Sequence, residues 1–281
     1  MTHKRDQQTK ASLFYELHHS GNMLVLPNIW DPLGALLLED VGYPAIATAS
    51  ASIAYSNGYD DGEQIPFDEL LKKLRRIASI VNIPVTADIE SGYSNTDSGL
   101  RENIKSLIKA GVVGINIEDS DERSGLLVPV EVQYERISLI RKVADEAGVH
   151  LFINARTDVY IKEGAYEESA KLSEAIKRGA AYKEAGADCF YPICVTQINH
   201  IREIVSNLAI PVNILAIPGI PDFKTLKELG VSRVSLGPGF LKIAIKAMKN
   251  MAERLLHFEG LEEISANEMT SDYLKKLVTP Q

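Results

Sequence analysis

Cysteine is scarce in this 281-residue chain, which has only Cys189 and Cys194, both within one apolar segment. No second Cys or His pair at zinc-binding spacing accompanies them. We therefore interpret them as free thiols buried in the core rather than as metal ligands. Free thiols are typical of a reducing compartment, so we expect a cytoplasmic protein.

Long apolar runs and an excess of basic residues are also missing. Nowhere do about 18 uncharged apolar residues follow one another, which argues against a membrane-spanning helix. The start, MTHKRDQQTK, leads into no apolar stretch of the kind found in secretory signals. The formal net charge is −8. Nucleic acids and anionic membranes bind basic surfaces, so we expect neither as a partner. A small anion remains compatible, because a bound cation can invert the local field.

Several catalytic motifs do not occur. The chain has neither a G-x-S-x-G nucleophile elbow nor a Walker-type phosphate loop. None of its six histidines forms an H-x-x-x-H pair, which argues against a zinc hydrolase. The segment GPGF (237–240) is compatible with a phosphate cradle at a helix N-terminus and equally with a tight turn into the last helix.

Eight short apolar or β-branched runs recur along the chain, each followed by a turn and a longer amphipathic stretch. Several lack strict alternation of polar and apolar residues, which is typical of parallel strands buried on both faces. The runs are MLVLPN (23–28), AIATAS (45–50), PVTADIE (84–90), GINIED (114–119), HLFINARTD (150–158), CFYPICV (189–195), PVNILA (211–216) and RVSLG (233–237).

The stretches between these runs have helical periodicity. Apolar residues recur three and four apart in 67–81, and the segments 98–111 and 167–186 behave likewise and end in Gly. Eight strands alternating with helices predict a closed (β/α)₈ TIM barrel of class α/β, with a doubly wound open sheet as the alternative. We expect one domain over residues 1–281. A C-terminal helical extension, about residues 240–281, is expected to serve oligomerisation.

Carboxylates follow three of the predicted strands. Asp88 and Glu90 end the third run, Glu118 and Asp119 end the fourth, and Asp158 ends the fifth. Asp88 and Glu90 lie two apart and are expected to point the same way, with Glu118 on the neighbouring strand. Catalytic groups of such barrels lie at these strand ends. Crowded carboxylates without nearby His or Cys favour a hard ion, Mg²⁺ or alternatively Mn²⁺.

The other interpretation of such acids is structural, as helix caps or as partners of Lys and Arg. It stays open for Asp60, Asp119 and Asp158 in particular. Arg156 lies in INARTD at the end of the fifth run, where its guanidinium suits a substrate carboxylate or a developing enolate oxygen. It could equally be a structural partner of Asp158.

A set of segments in this order resembles the isocitrate lyase/phosphoenolpyruvate mutase superfamily. The resemblance covers about residues 22–245 and is specific as a set, whereas each segment alone is weak. The segments are LPNIWDPLGALLLEDVGYPAIATAS, NGYDDGE, PVTADIESGYSN, GVVGINIED, FINARTD and RVSLGPG.

The resemblance implies a (β/α)₈ barrel, commonly a tetramer with a helix exchanged between subunits. It implies that the magnesium ligands are Asp61, Asp88, Glu90 and Glu118, and that Arg156 is the catalytic residue that binds the substrate carboxylate and oxyanion. The groups that hold the substrate carboxylate match Ala49, Ser50 and Ala51. The family often has Ser at the position of Ala49, so Ser50 is the candidate hydroxyl.

Departures from the family pattern bear on the reaction. The carbon–carbon lyases carry a Cys-containing loop where this chain reads DSDERSGLLVP, and the phosphonate-forming mutase has a Lys-Thr-Asn-Ser gating loop there. Only Arg123 and Ser124 remain as polar candidates for a substrate-binding lid. Ala47 replaces a tyrosine of the lyases, and Ile193 stands where they place a Glu. Cleavage of isocitrate or 2-methylisocitrate is therefore not expected.

The resulting expectation is a Mg²⁺-dependent lyase that cleaves a C–C bond of a small 2-oxo acid through an enolate, as an oxaloacetate decarboxylase does. One alternative is a phosphoenolpyruvate/phosphonopyruvate mutase or a phosphonopyruvate hydrolase. Another is a binding protein for a small carboxylate that catalyses nothing. The expected partners are a small carboxylate substrate and further copies of the chain, as a tetramer or dimer.

Overall fold

The computed structural model describes residues 6–121, 124–162 and 166–279. Each of the eight apolar runs contains a parallel strand, and helices follow the strands. The strands are β1 (Leu24–Leu26), β2 (Asn28–Ile29), β3 (Ile46–Thr48), β4 (Val85–Asp88), β5 (Gly114–Glu118), β6 (Ser120–Asp121), β7 (Leu126–Leu127), β8 (Phe152–Thr157), β9 (Cys189–Pro192), β10 (Asn213–Leu215) and β11 (Arg233–Ser235).

The helices of the described residues include the three segments with predicted helical periodicity, at 67–81, 98–111 and 167–186. They are α1 (Gln7–His19), α2 (Pro32–Val41), α3 (Ser50–Ser56), α4 (Phe67–Ile80), α5 (Asp97–Ala110), α6 (Val130–Glu146), α7 (Glu168–Glu184), α8 (Ile198–Leu208), α9 (Phe223–Glu228), α10 (Gly239–Leu256), α11 (Leu261–Ser265) and α12 (Ser271–Val278). Gly42 and Gly111 end α2 and α5 in the left-handed conformation that glycine adopts without a Cβ clash.

The parallel strands close into a barrel, which confirms the (β/α)₈ prediction over the open sheet. Pro27 divides the first apolar run, because proline has no N–H for the ladder. β1 pairs with β11, and β2 pairs with β3, so the run joins the two edges. A bridge between Phe190 and Val212 links β9 to β10 and completes the ring. The carboxyl ends of all these strands therefore meet at one mouth.

The opposite end of the barrel is covered by α1. Phe14 of α1 is fully buried, and its ring packs edge-on against Phe152 at a centroid distance of 5.1 Å. Gly114 at the start of β5 makes this approach possible, because a Cβ there would lie 2.9 Å from the Phe14 ring. Burial of one such aromatic side chain contributes about 1.5–3 kcal/mol. The packing of α1 therefore stabilises the barrel at its closed end, opposite the mouth.

The C-terminal helices leave apolar side chains in contact with solvent. Phe258 is 97% exposed and Leu256 is 78% exposed. α12 lies against α2, where the Tyr273 hydroxyl donates to Asp40 at 2.9 Å. The predicted role of residues 240–281 in oligomerisation stays a prediction. Within the described ranges no helix combines the length and apolar character needed to cross a bilayer.

Candidate functional site

A cavity of about 320 Å³ opens at the carboxyl ends of the strands, and we call it the barrel-mouth cavity. Its volume is at the lower end of the range for ligand pockets, which suits a small molecule. Residues from eight strands and from the start of α3 contribute to it. The polar residues that line it are Asn28, Thr48, Ser50, Tyr55, Asp61, Thr86, Asp88, Asn116, Arg156, Tyr191, Cys194, Arg233, Ser235 and Lys242.

Asp88 is the last residue of β4 and is held at the cavity wall from two sides. Its Oδ2 accepts from the backbone N–H of Ser50 at 3.1 Å and from the Ser50 hydroxyl at 3.0 Å. Its Oδ1 accepts from the Asn116 amide at 2.7 Å, and Asn116 is itself oriented by Asn154 at 2.8 Å. The carboxylate therefore has a fixed orientation, as a metal ligand requires.

Glu90 lies near Asp88 for a reason different from the predicted one. β4 ends at Asp88, and Glu90 has a φ of +52°, so the two do not share one face of a strand. The prediction from two-residue spacing is wrong in this respect, because a turn rather than the strand pleat positions Glu90. Tyr93 donates its hydroxyl to Glu90 at 2.9 Å, and the N–H of Glu63 donates at 2.5 Å. Glu63, which the sequence analysis missed, also binds Ser91 and thereby closes this turn.

Asp61 lies in the exposed loop after α3, at the edge of the cavity. Burial raises the pKa of Asp61, the negative charge of Asp88 raises it further, and a hydrogen bond from Ser50 opposes this. Burial also raises the pKa of Glu90 to about 8, with added contributions from Asp61 and Asp88. Three carboxyl groups thus lie near enough to one another to disfavour full ionisation.

Glu118 contacts Arg156, and its role as a magnesium ligand stays a prediction. It is the register partner of Arg156 on the adjacent strand, and its Oε2 lies 2.6 Å from the Arg156 guanidinium. Asp158 holds the other side of that guanidinium with contacts of 2.6 and 3.0 Å. Burial alone would lower the pKa of Arg156, but Glu118 and Asp158 raise it well above its ordinary value. Glu118 is accordingly a partner of Arg156 here, and Asp158 has the structural role that the sequence left open.

Asp119 and Asp60 take structural roles as well. Asp119 is fully buried and accepts from Thr157 at 2.6 Å, from Tyr182 at 2.7 Å and from Arg178 at 2.9 Å. These partners tie β5 to β8 and α7 away from the cavity. Asp60 is exposed and accepts from the N–H of Asp61 at 2.9 Å, which orients the loop.

The predicted substrate-binding residues are divided between the cavity and the surface. Ala49, Ser50 and Ala51 line the cavity at the start of α3. Ser124 is exposed, is not among the lining residues, and binds Asp121 at 2.7 Å. Arg123 lies outside the described residues. The sequence analysis missed other lining residues such as Asn116, Tyr191 and Arg233. Alternation along the strands could have indicated them, because every second residue of a strand faces the inside of the barrel.

The donor chemistry of the carboxylates fits Mg²⁺ or Mn²⁺ better than a soft metal. Among the described residues, no Lys or Arg forms an ion pair with Asp61, Asp88 or Glu90. Nor do any three or more His, Cys, Asp or Glu side chains in the described ranges form a group that could hold a metal ion between them. Mg²⁺ does not require such a group, because it usually keeps several waters and takes one or two carboxylates.

Comparisons with known proteins agree on one family. Residues 14–256 match the family model for phosphoenolpyruvate phosphomutase. An uncharacterised protein of Mycobacterium tuberculosis is 33% identical over 224 residues, which cover 80% of this chain and 81% of that protein. An oxaloacetate decarboxylase of Pseudomonas fluorescens is 29% identical over 267 residues, covering 92% of this chain and 90% of that enzyme. A Burkholderia cenocepacia structure, named as a candidate phosphonomutase, has 38% identity and a TM-score of 0.83, with 87% of this chain and 99% of that chain covered.

Proposed function

The chain belongs to the phosphoenolpyruvate mutase/isocitrate lyase superfamily of lyases and mutases, and on that premise we propose that it is a Mg²⁺-dependent lyase of small 2-oxo acids. The reaction is cleavage of a C–C bond through an enolate, and oxaloacetate is the first substrate to test. The relative from Pseudomonas fluorescens supports this choice, because it is named an oxaloacetate decarboxylase and matches over 92% of the chain.

The observation that carries the proposal is a set of three neighbouring carboxylates with which no Lys or Arg of residues 6–121, 124–162 and 166–279 forms an ion pair, beside an arginine held by two acids. Burial and the repulsion between Asp61, Asp88 and Glu90 make further negative charge at this place unfavourable in free energy. The raised pKa values of Asp61 and Glu90 indicate this. A divalent cation would remove that cost. Asp88, Asp61 and Glu90 would hold it, directly or through water, with Glu118 near them on the next strand.

The bound ion would supply Lewis-acid chemistry by polarising the keto oxygen of the substrate. The side chains of the protein do the rest. Ser50 and Asn116 keep the Asp88 carboxylate in one orientation through the hydrogen bonds of 2.7–3.1 Å. Ala49 and Ala51 leave room at the cavity wall for a substrate carboxylate next to α3. A preorganised wall of this kind lowers the reorganisation needed during reaction.

Arg156 has N–H groups left for the substrate. A guanidinium offers five N–H donors, and the contacts to Glu118 and Asp158 account for three of them. The remaining donors would bind a carboxylate or stabilise negative charge that develops on the keto oxygen. Because two acids fix the plane of the guanidinium, those donors have a defined direction toward the cavity that Arg156 lines.

The test measures pyruvate release from oxaloacetate by the purified protein with Mg²⁺, after chelation, and after Mg²⁺ is restored. We expect turnover that disappears with the chelator and returns with the ion. Asp88→Asn should lose Mg²⁺ binding by calorimetry, whereas Asp68→Asn, an exposed acid in the first turn of α4, should retain it. Turnover that persists without metal would end the proposal, and oxalate binding without turnover of any 2-oxo acid would favour the carboxylate-binding protein.

A second candidate function is phosphonate chemistry at the same site. The Burkholderia structure named as a candidate phosphonomutase favours it, with 38% identity to this chain. Phosphonopyruvate followed by ³¹P NMR separates the two functions. Conversion to phosphoenolpyruvate, or release of phosphate, without decarboxylation of oxaloacetate would select the phosphonate enzyme.

A further inference from the structure

Tyr191 is a cavity residue that none of the roles above uses. It lies on β9, where it is the register partner of Arg156 on β8, so both side chains belong to the inner face of the barrel. It is 5% exposed, yet it lines the barrel-mouth cavity. Its hydroxyl makes no hydrogen bond to any residue in the described parts of the chain. A tyrosine hydroxyl at a nearly buried position normally has a partner, so this one is available to a ligand.

We propose that Tyr191 is the general acid that delivers the proton to C3 of the enolate. The inference rests on the proposed lyase function. A lyase that makes an enolate must protonate it, and this chain lacks the Cys-containing loop that the related lyases carry. In decarboxylation the C3–C4 bond breaks, CO₂ leaves, and the electron pair enters the C2–C3 enolate. The O–H bond of Tyr191 then breaks, a C3–H bond forms and the keto group is restored, after which the phenolate takes a proton from water.

The surroundings of Tyr191 suit a donor of this kind. Burial raises the pKa of the Tyr191 hydroxyl and the charge of Asp88 adds to this, so the proton is present at neutral pH, whereas Arg156 and Arg233 act in the opposite direction. The two cations would stabilise the phenolate that remains after transfer. Arg233 is 2% exposed, and its Nη1 has no hydrogen-bond partner among the described residues, so its charge is not consumed by an acid there.

Other proton carriers at the cavity are less well placed. Cys194 follows the end of β9 in a turn with a φ of +66°, so the strand register that aligns Tyr191 with Arg156 does not fix its side chain, although burial raises its pKa and the charge of Arg156 opposes this. Tyr55 is 51% exposed at the outer edge of the cavity, and Lys242 is also exposed. A proton donor to a carbon acid must exclude competing water, which favours the nearly buried Tyr191.

The experiment isolates proton transfer by using pyruvate, whose methyl protons exchange with D₂O when the enolate forms and is reprotonated. The Mg²⁺-loaded protein is mixed with pyruvate in D₂O, and loss of the methyl signal is followed by NMR. Tyr191→Phe should reduce the exchange rate by about 100-fold or more, the scale of general acid–base catalysis. Calorimetric affinity for oxalate should stay within about threefold, because the hydroxyl is not needed to bind an enolate analogue.

Tyr15→Phe, a 40% exposed tyrosine of α1 at the closed end of the barrel, is the matched control and should exchange pyruvate at a rate close to that of the parent protein. Exchange by Tyr191→Phe at the parent rate would overturn the assignment, as would loss of exchange in Tyr55→Phe or Cys194→Ala with Tyr191→Phe unaffected. If the parent protein decarboxylates oxaloacetate but catalyses no exchange, only the Tyr191 assignment fails. If it does neither, the proposed function fails first and the assignment falls with it. Because the hydroxyl has no partner within the described structure, Tyr191→Phe should melt near the parent temperature, which confirms that the variant is folded.

Discussion

Replacement of Arg156 tests whether the clamp between Glu118 and Asp158 is as strong as its geometry indicates. The two acids lie 2.6 Å from the guanidinium, and their side chains are only 5% and 3% exposed. Removing one partner of a buried ion pair leaves an uncompensated charge and costs about 3–5 kcal/mol. We expect Arg156→Gln to lower the free energy of unfolding at pH 8 by about this amount, measured by urea denaturation of the metal-free protein.

The same variant should show a defined pH dependence. Without the Arg156 cation, the two buried carboxyl groups of Glu118 and Asp158 lose the positive charge that they share, so we expect this pair to take up a proton more readily in the folded than in the unfolded chain. The penalty is then absent below the unfolded pKa and is complete above the folded pKa, so Arg156→Gln should be less destabilised at pH 5 than at pH 8.

A matched control uses Arg101, which pairs with Glu146 at 2.7 Å but with side chains 28% and 48% exposed. Arg101→Gln should cost no more than about 1 kcal/mol at either pH, because exposed pairs are screened by solvent. A loss below about 1 kcal/mol for Arg156→Gln at pH 8, or an equal loss for both variants, would refute the buried-clamp reasoning.

Two further predictions concern the charge at the mouth and the packing at the closed end. Because the folded pKa of Glu90, about 8, lies above its ordinary value, its contribution to stability is fully present below about pH 4.5 and is lost as the pH rises through 8. Metal-free protein should therefore lose stability over that window in urea titrations, and Glu90→Gln should flatten the profile; an unchanged slope would contradict this. Gly114→Ala places a Cβ 2.8 Å from Thr86 and 2.9 Å from Phe14, so it should lower stability by about 1–3 kcal/mol, and a neutral result would show that α1 can move aside.

The fold was largely accessible from the sequence because its strands are buried on both faces. Continuous apolar runs such as GINI and the Gly-terminated helices mark each β/α unit without reference to distant residues. Closure was less accessible. It depends on Pro27 dividing the first run and on the bridge between Phe190 and Val212. Both are consequences of tertiary register, which a local pattern does not contain.

Part of the candidate site could be predicted from the sequence. Each difference between the predicted and the observed site has a local cause. Strand ends located Asp88, because β4 stops there. Glu90 was found by a spacing argument that the turn at φ +52° does not obey. Glu118 was grouped with the other acids because the sequence does not reveal that β5 and β8 align it with Arg156. Tyr191 was missed because an aromatic residue inside an apolar run resembles a core residue.

A count of charges around the cavity leads to an expectation about the order in which a cation and an anion bind. Arg156 carries one positive charge against the two negative charges of Glu118 and Asp158. Asp61 and Asp88 add negative charge on the other wall, where no Lys or Arg among the described residues pairs with them. With Arg233 and Lys242, which also line the cavity, three positive charges face these four acids, so a carboxylate substrate would meet a net negative field. On the proposed function, a divalent cation at the carboxylates would reverse that field, and we expect metal binding to promote substrate binding as well as catalysis.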